Sequence, residues 1–461
     1  NPLPYVCGRV CHRPCERVCR AGEGGDPIAI RALKRVAFEY EREHLPRKEA
    51  APVVPRHEKV AVVGSGPAGL TAGHHLARAG YEVTIFEAEP VAGGMLALCI
   101  PEYRLPREVL ELDIENIKAS GVEIRTNTAL GRDVTLDQLF EQGYKAVFIA
   151  TGAYRNLSLG IPGEDAEGVI DVIAFLKAVK RGEAKAPGRR VGVIGGGNAA
   201  IDAARTAHRL GCEEVTIIYR RTRAEMPADS SEIDEALHEG IKIHYLAAPT
   251  RVLTQDGRVC GVECVRMKLG DFDQSGRRRP VPIEGSEFTV ELDALIPAIG
   301  QQPDLSFLAE GDGLKITRWK TIRVDEETYQ TDRPGVFAAG DVVTGPATVT
   351  EAMKAGRVAA QSIHQYLRGL PVERIYQVTR PEVYVPMVEL AGGEEVPASR
   401  PQMPSLPVDA RRGFVEVELG FTCEQARQEG KRCLRCDLLE RAAFEEHQEE
   451  AEEPIEASSV V

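Results

Sequence analysis

The chain has 461 residues, 43% of them apolar and 5% aromatic, enough to bury a large core and to divide into about three domains. A net charge of −13 argues against nucleic acid as a ligand. No apolar run approaches the ~18 consecutive residues of a membrane span.

Residues 1–50 read as a small helical domain with an amphipathic helix near Ile28 to Tyr40. Cys7, Cys11, Cys15 and Cys19 recur every fourth position, and Cys423, Cys433 and Cys436 gather near the other end, so that seven of eleven cysteines lie near the termini. Short-spaced thiolates of this kind suit iron–sulfur ligation. The competing account, a secreted disulfide framework, conflicts with the lack of a hydrophobic signal segment at the start and with nucleotide chemistry proper to a reducing compartment, so a cytoplasmic location is expected. Asn1 is not a methionine, which suggests a start inside a longer polypeptide. On one straight helix Cys7 to Cys19 would span roughly 18 Å at ~1.5 Å per residue, too far for one cubane. Either the helix breaks, for which Pro14 supplies a break, or the cysteines are shared between clusters.

After a Pro-rich linker, Glu49 to Pro55, the apolar run Val60–Val63 leads into Gly64-Ser-Gly66-Pro-Ala-Gly69 and an alanine-rich helical pattern. A glycine fingerprint between a strand and a helix marks a dinucleotide site, because the turn brings a pyrophosphate to the positive end of the helix. The second strand, Tyr81–Phe86, ends at Glu87, eighteen residues past Gly69, where a carboxylate can accept from both ribose hydroxyls. This unit reads as the FAD site. No CxxxxC pair follows: after Gly93-Gly94 there is only the lone Cys99, and a disulfide reductase is not indicated. Glu102 and Arg104 are candidates for the isoalloxazine edge, with a structural ion pair as the equal alternative. Flavin-mediated hydride transfer requires no acid–base residue.

A second fingerprint, Gly195-Gly-Gly197-Asn198-Ala-Ala200, follows Val191–Ile194. Its second strand, Val215–Tyr219, ends at Arg220 and Arg221, with Arg223 close behind. Guanidinium groups replace the usual carboxylate there and can grip a 2′-phosphate, which favours NADPH over NADH. Ala150-Thr151-Gly152 and Ala298-Ile-Gly300 each end an apolar run at a small turn. Gly335 to Gly340 forms a short buried strand ending in Asp341, placed for a ribityl hydroxyl. The helix opening at Thr348 and Val349 would aim its first amides at the flavin pyrimidine oxygen. Cys99, Cys212, Cys260 and Cys264 read as inert core residues, with Cys260 and Cys264 on one strand face. Residues 371–420 suit an extended surface arm, and Glu445 to Glu453 a solvated acidic tail.

Taken together, Cys7-Gly-Arg-Val-Cys11, Gly93-Gly-Met, Ile100-Pro-Glu-Tyr-Arg-Leu-Pro106, Ala150-Thr-Gly152, Tyr219-Arg-Arg-Thr-Arg-Ala-Glu-Met-Pro227, Ala298-Ile-Gly-Gln301, Ala339-Gly-Asp341 and Arg432-Cys-Leu-Arg-Cys-Asp437 resemble the small subunit of NADPH-dependent glutamate synthase. They also resemble its relatives, the amino-terminal part of dihydropyrimidine dehydrogenase and the large subunit of NADH-dependent ferredoxin:NADP oxidoreductase. The resemblance implies an α/β fold with two Rossmann-like units plus an α-helical iron–sulfur domain: FAD domain 58–158 and 301–370, inserted NADPH domain 159–300, and a cysteine-bearing segment within 371–461. It implies hydride from NADPH to FAD and single electrons to one or two [4Fe-4S] clusters, serving a partner subunit or ferredoxin in a hetero-oligomer. In that family an RCLxC-type half precedes the CGxVC-type half. Here none stands ahead of Cys7, and Cys433 and Cys436 look like its substitute, so the termini are expected to meet. Lys34 and Arg35 occupy the region where relatives can place a glutamine or glutamate ligand. Two other classes stay in view: a self-contained NADPH reductase of a small acceptor with structural clusters, and an assembly scaffold with a vestigial flavin.

Overall fold

The computed structural model describes residues 1–45, 53–273, 276–376 and 396–438. It opens with three helices: α1 (Pro4–Val10), α2 (Pro14–Arg17) and α3 (Ile30–His44). The break between α1 and α2 falls at Cys11 to Arg13, and Pro14 is the first residue of α2, where its missing N–H costs nothing. α3 runs later than the expected Ile28 to Tyr40.

The first α/β unit follows as β1 (Lys59–Val63), α4 (Pro67–Arg78), β2 (Glu82–Phe86), α5 (Met95–Leu98), α6 (Arg107–Ala119), β3 (Val122–Arg125), α7 (Leu136–Glu141) and β4 (Tyr144–Ile149). A short β5 (Arg155–Asn156) leads out of it. The second unit comprises α8 (Val172–Lys180), β6 (Arg190–Ile194), α9 (Asn198–Arg209), β7 (Glu214–Tyr219), α10 (Ser230–His238) and β8 (Lys242–Tyr245). Then come β9 (Ala247–Gln255), β10 (Arg258–Phe272), β11 (Arg278–Glu291) and β12 (Ala294–Pro297). The chain returns through β13 (Gln301–Gln302) and β14 (Val336–Ala338), continues in α11 (Asp341–Thr344) and α12 (Val349–Leu367), and after an extended stretch forms α13 (Cys423–Lys431).

Two parallel sheets result, ordered β14-β4-β1-β2-β3 and β12-β6-β7-β8. Their strands are near-continuous apolar runs because helices cover both faces, and β1, β2 and β4 are buried from their second or third residue onward. The outgoing and returning connections pair antiparallel, β5 with β13, so the two units are joined by a two-stranded crossing at the turns foreseen at Gly152 and Gly300. The antiparallel sheet β9-β10-β11 is an addition that local pattern did not disclose. It also corrects the placement of the cysteine pair. The register of β10 slips between Val259 and Gly261, so Cys264 joins the core with Val259 and Val262 while Cys260 lies outside it.

The linker from Glu49 is described only from Val53, and the acidic tail Glu445 to Glu453 lies outside the described residues, as do positions 377–395 of the expected arm. The described remainder of the arm straps the first helices. Asp26 donates its amide to the Ala398 carbonyl at 2.9 Å, and Arg9 and Arg31 pair with Glu416 and Glu418 at 2.7 and 2.6 Å. The described C-terminal segment does meet the first helices. Glu429, fully buried in α13, accepts from the Ala29 amide at 2.7 Å and from Arg432, whose guanidinium also reaches the Asp26 carbonyl.

α1 has no cap of its own and receives one from α6: buried Asp113 accepts from the Val6 amide at 2.8 Å and from the Tyr5 amide at 3.4 Å. Burial pushes the Asp113 carboxyl up to about 7 despite those donors. The folded chain thus holds a proton that the unfolded chain releases above about pH 4, and this stabilisation is complete at low pH and lost as pH rises through about 7. Asp113→Asn keeps an acceptor for the Val6 amide without a titrating charge. The fall in Tm between about pH 4 and 7 should be shallower in this variant than in the parent, measured by thermal melting. An unchanged slope would assign the pH dependence to other groups.

Candidate functional site

The first glycine loop joins β1 to α4 through backbone contacts that exclude side chains. Gly64 has φ +99°, and a Cβ there would lie 2.4 Å from the Ala150 carbonyl oxygen; a Cβ on Gly69 would lie 1.9 Å from the Gly64 oxygen. Gly66 differs. A Cβ placed on it meets nothing within 4 Å, so this is the open side of the turn, at the N-cap of α4. Gly94, at φ +56°, closes from above, its Cβ position 2.8 Å from Gly66 Cα. Glu87 at the end of β2 is buried and already engaged: one oxygen accepts from the Ser65 amide and hydroxyl at 2.9 and 2.5 Å, the other from the Glu89 amide at 2.9 Å. Ser65 in turn accepts from the Gly93 amide. The glycine turn, the strand end and the Gly93-Gly94 loop thus form one network.

Thr151 and Gly152 follow β4 beside this loop, and the buried Thr151 Oγ1 has no partner among the described residues. Asp341 starts α11, accepts from the Ala347 amide at 3.2 Å, and is pushed up to about 6 by burial. Thr348 caps α12 in a reciprocal box with Glu351, leaving the Val349 and Thr350 amides as free donors of the first turn. An open glycine, an orphaned hydroxyl and a helix start facing the same strand ends fit a bound dinucleotide flavin.

The second loop repeats the design. Gly195 has φ +139°, and a Cβ there would meet the Ala298 oxygen at 2.3 Å; on Gly196 it would strike the Tyr219 ring at 2.5 Å; on Gly197 its nearest neighbour would be Pro227 at 3.9 Å. Gly197 is therefore the open one. Asn198 and Ala200 lie in the first turn of α9, with Ala200 buried, and Gly300 sits on the return crossing at φ +131°. The arginines at the end of β7 divide. Arg220 is exposed and makes no ion pair among the described residues. Arg221 is buried against Asp273 at 2.7 Å and donates to the Arg278 carbonyl. Arg223 pairs on the surface with Asp234.

Glu102 and Arg104 both stand in ion pairs, the alternative weighed for them from sequence. Arg104 grips Asp202 of α9 through bonds of 2.8 Å and reaches Glu232 of α10 at 3.2 Å. Burial would lower its pKa, but the facing carboxylates raise it. The network continues from Arg205 to Glu239 at 2.7 Å and on to Arg209 and Arg411, and Tyr103 is stacked under Arg209 at 3.9 Å. Sequence spacing gave no sign of this cluster, since its members come from four separate segments. Glu102 meets Arg107 and Lys180 at the mouth of a cavity of ≈ 290 Å³ that also touches Cys99, Thr206 and Phe414, away from both glycine loops.

Cys7 is enclosed in the core of the first unit, its Sγ 3.5 Å from Met353 Sδ of α12, and burial pushes its thiol up to about 11. Cys11 is buried, Cys19, Cys433 and Cys436 are half-buried, and Cys15 and Cys423 are exposed. Among the described residues no three such ligands converge as they would on a single ion. A cubane binds its four cysteines on separate irons, so its sulfurs stand apart, and the donor set of thiols on the two joined termini suits one. Cys99 and Cys264 are pushed up to about 12 by burial and are inert. Arg35, held by Glu39 and Glu416, offers no ligand.

Two glycine-loop units on paired parallel sheets, with a thiol-bearing helical domain docked on the first, define a flavin- and pyridine-nucleotide-linked reductase with an iron–sulfur domain. Residues 58–356 match the profile of the pyridine nucleotide-disulphide oxidoreductase family, and residues 1–45 match that of dihydropyrimidine dehydrogenase domain II, 4Fe-4S cluster. The chain is 45% identical to the NADP(+)-dependent formate dehydrogenase subunit beta of Moorella thermoacetica, over 94% of this chain and 65% of that protein, so it spans about two thirds of that relative's length. It is 36% identical to the glutamate synthase [NADPH] small chain of Azospirillum brasilense, over 80% of each. Among solved structures, Mycobacterium tuberculosis FprA in complex with NADPH shares the fold, with a TM-score of 0.59 at 18% identity over 68% of this chain and 85% of that one. The chain belongs to the pyridine nucleotide-disulphide oxidoreductase family, in its glutamate synthase small-chain-like branch. It is an NAD(P)H-dependent oxidoreductase that uses FAD and carries a 4Fe-4S domain. Both relatives are subunits of larger enzymes, and no described helix is long and apolar enough to cross a membrane.

The two kinds of glycine can be separated experimentally. Gly69→Ala places a methyl 1.9 Å from a backbone oxygen and should lower stability by about 1–3 kcal/mol or more. Gly66→Ala enters open space and should hold the stability of flavin-free protein within about 1 kcal/mol while lowering flavin content. Melting curves and flavin absorbance on both variants check this.

Proposed function

We propose that this chain is an electron-input subunit: NADPH binds the second glycine loop, FAD the first, and clusters held by the terminal cysteines carry electrons to a partner subunit or ferredoxin. When bound, the flavin takes hydride from the nicotinamide and releases electrons one at a time. The residues around it hold and tune it. Gly66 lets the pyrophosphate reach the start of α4, Glu87 has lone pairs left for a ribose, Asp341 is placed for the ribityl chain, and the first amides of α12 stabilise negative charge on the pyrimidine edge. One observation carries the reading. The helix whose first turn would face the flavin, α12, presses Met353 onto Cys7 of the cysteine domain, so the two redox centres would share a wall.

Cys11, Cys15, Cys19, Cys433 and Cys436 are the proposed cluster ligands. Cys7 is the weakest member because of its apolar enclosure, and Cys423 stands exposed at the start of α13. The acceptor follows from the partner: glutamate synthesis, ferredoxin-linked transhydrogenation and electron bifurcation all suit such a module. The Moorella and Azospirillum relatives, both named for NADP or NADPH and both subunits, favour this over a self-contained reductase of a small acceptor.

Anaerobic rapid mixing with NADPH should bleach the flavin first and the broad cluster absorbance afterwards. A flavin change alone would sink the electron-input reading in favour of the self-contained reductase. Deleting residues 423–461 should lower iron and sulfide content and alter the EPR spectrum, and an unchanged cluster count would remove the C-terminal cysteines from the ligand set. Of the three arginines, exposed Arg220 is the free one, so Arg220→Gln should weaken NADP+ binding by about 1.5–3 kcal/mol and leave NAD+ little changed. Arg221→Gln should act on stability instead, since it removes the ion pair to Asp273 and the bond to the Arg278 carbonyl. Calorimetric titration of both nucleotides distinguishes these outcomes.

A further inference from the structure

The break between α1 and α2 does more than interrupt a helix. Its residues His12 and Arg13 leave the cysteine domain and reach the second glycine loop. Asn198, the first residue of α9, accepts from the Asp229 amide through Oδ1 at 3.1 Å, which fixes its carboxamide with Nδ2 turned to His12 Nε2 at 2.8 Å. A carboxamide nitrogen only donates, so Nε2 accepts and the neutral imidazole carries its proton on Nδ1. That Nδ1 is buried and has no partner among the described residues, an unusual state for a donor. Beside it the Arg13 guanidinium closes on the Asp229 carboxylate. The Arg13 amide donates to Cys11 Sγ at 3.4 Å, and its backbone sits in the left-handed region at φ 56°, a conformation that for a non-glycine residue persists only when its surroundings hold it.

One loop therefore carries the Cys11 thiol, a buried N–H one residue later with no partner among the described residues, a contact to Asn198 at the helix start where a pyridine-nucleotide pyrophosphate would land, and an ion pair to Asp229, which caps α10 and bonds Asn198. We propose that His12 and Arg13 are positioning residues that couple the two sites, so that occupancy of the second glycine loop changes the surroundings of the cluster ligated through Cys11. An arriving phosphate oxygen competes for the donors of Asn198. The His12 ring then loses its hold while the Arg13 ion pair keeps the loop in place, and hydrogen bonding near cluster sulfur is one of the levers that set its potential. The coupling is reciprocal: the oxidation state of the cluster must alter nucleotide affinity by the same factor. This inference rests on the proposed function above and adds to it a path between nucleotide and cluster that does not pass through the flavin.

The test uses the holoprotein and 2′-phospho-ADP-ribose, which has the pyrophosphate and 2′-phosphate of NADP but no nicotinamide to react. Its affinity is measured by calorimetry with the clusters oxidised and after reduction by dithionite, and EPR spectra of the reduced protein are recorded with and without it. The two affinities should differ by about fivefold or more, and the EPR g-values should shift on binding. In His12→Ala the ratio should fall toward one and the shift should vanish; His12→Gln, which can still accept from Asn198, should restore both. If His12→Ala does not fold, Asp229→Asn, which keeps the cap of α10 but breaks the Arg13 ion pair, takes its place with the same expected loss. Normal iron content and stoichiometric binding with equal affinities, or with a ratio unchanged in the variants, overturns this inference alone. A preparation without iron, or one that does not bind the probe, overturns the function reading and the inference with it.

Discussion

Arg104 is buried between two carboxylates, Asp202 and Glu232, that belong to the other dinucleotide unit, and the placement of everything else hangs on that contact. An uncompensated charge in such a site costs about 3–5 kcal/mol, so drawing the units apart would strand Arg104 and Asp202, while Glu232 keeps Arg205. The network runs on through Arg205, Glu239, Arg209 and Arg411, drawing in the C-terminal strap. Beside it, Tyr103 supplies a ring for Arg205 and Arg209 to stack upon, and its carbonyl accepts from the Val417 amide. A covalent connection through only two short paired strands, β5 and β13, would otherwise leave the units free to turn. Ion pairing rather than chain connectivity fixes the approach of one glycine loop to the other.

The cysteine domain is held by the same logic at smaller scale. α1 borrows its cap from Asp113, Arg9 and Arg31 reach to Glu416 and Glu418, and Glu429 with Arg432 secures the far end of the chain against Ala29 and Asp26. Each of these is a charged group bonded to backbone or to an opposite charge with little solvent access, the setting in which such bonds contribute most. A domain of about fifty residues has too little apolar interior to stand firmly by itself. Its helices are stabilised by the larger body beneath them, which also brings the thiols to the unit of the first glycine loop.

Local sequence revealed what depends on backbone sterics. Gly64, Gly69 and Gly195 are required because a Cβ would collide with a carbonyl oxygen, and the apolar runs ahead of them are strands because both faces are covered. These features are periodic or contiguous, and chain order alone exposes them. The antiparallel sheet β9-β10-β11 escaped because its strands alternate only weakly and its pairing is set by long-range partners. The same slip of register that moved Cys260 out of the core cannot be read from a spacing of four.

What the sequence determined by itself was therefore the chemistry: two nucleotide loops, a carboxylate at one second strand and arginines at the other, and thiols at both ends. Tertiary structure decided which of those groups are free to act. Arg220 stays open while Arg221 is spent on Asp273, Glu102 and Arg104 are diverted to ion pairs, and Cys7 sinks against Met353. The reason is physical. Residue type fixes what a side chain can bond, but its availability depends on neighbours brought from distant segments, and burial makes every such pairing obligatory.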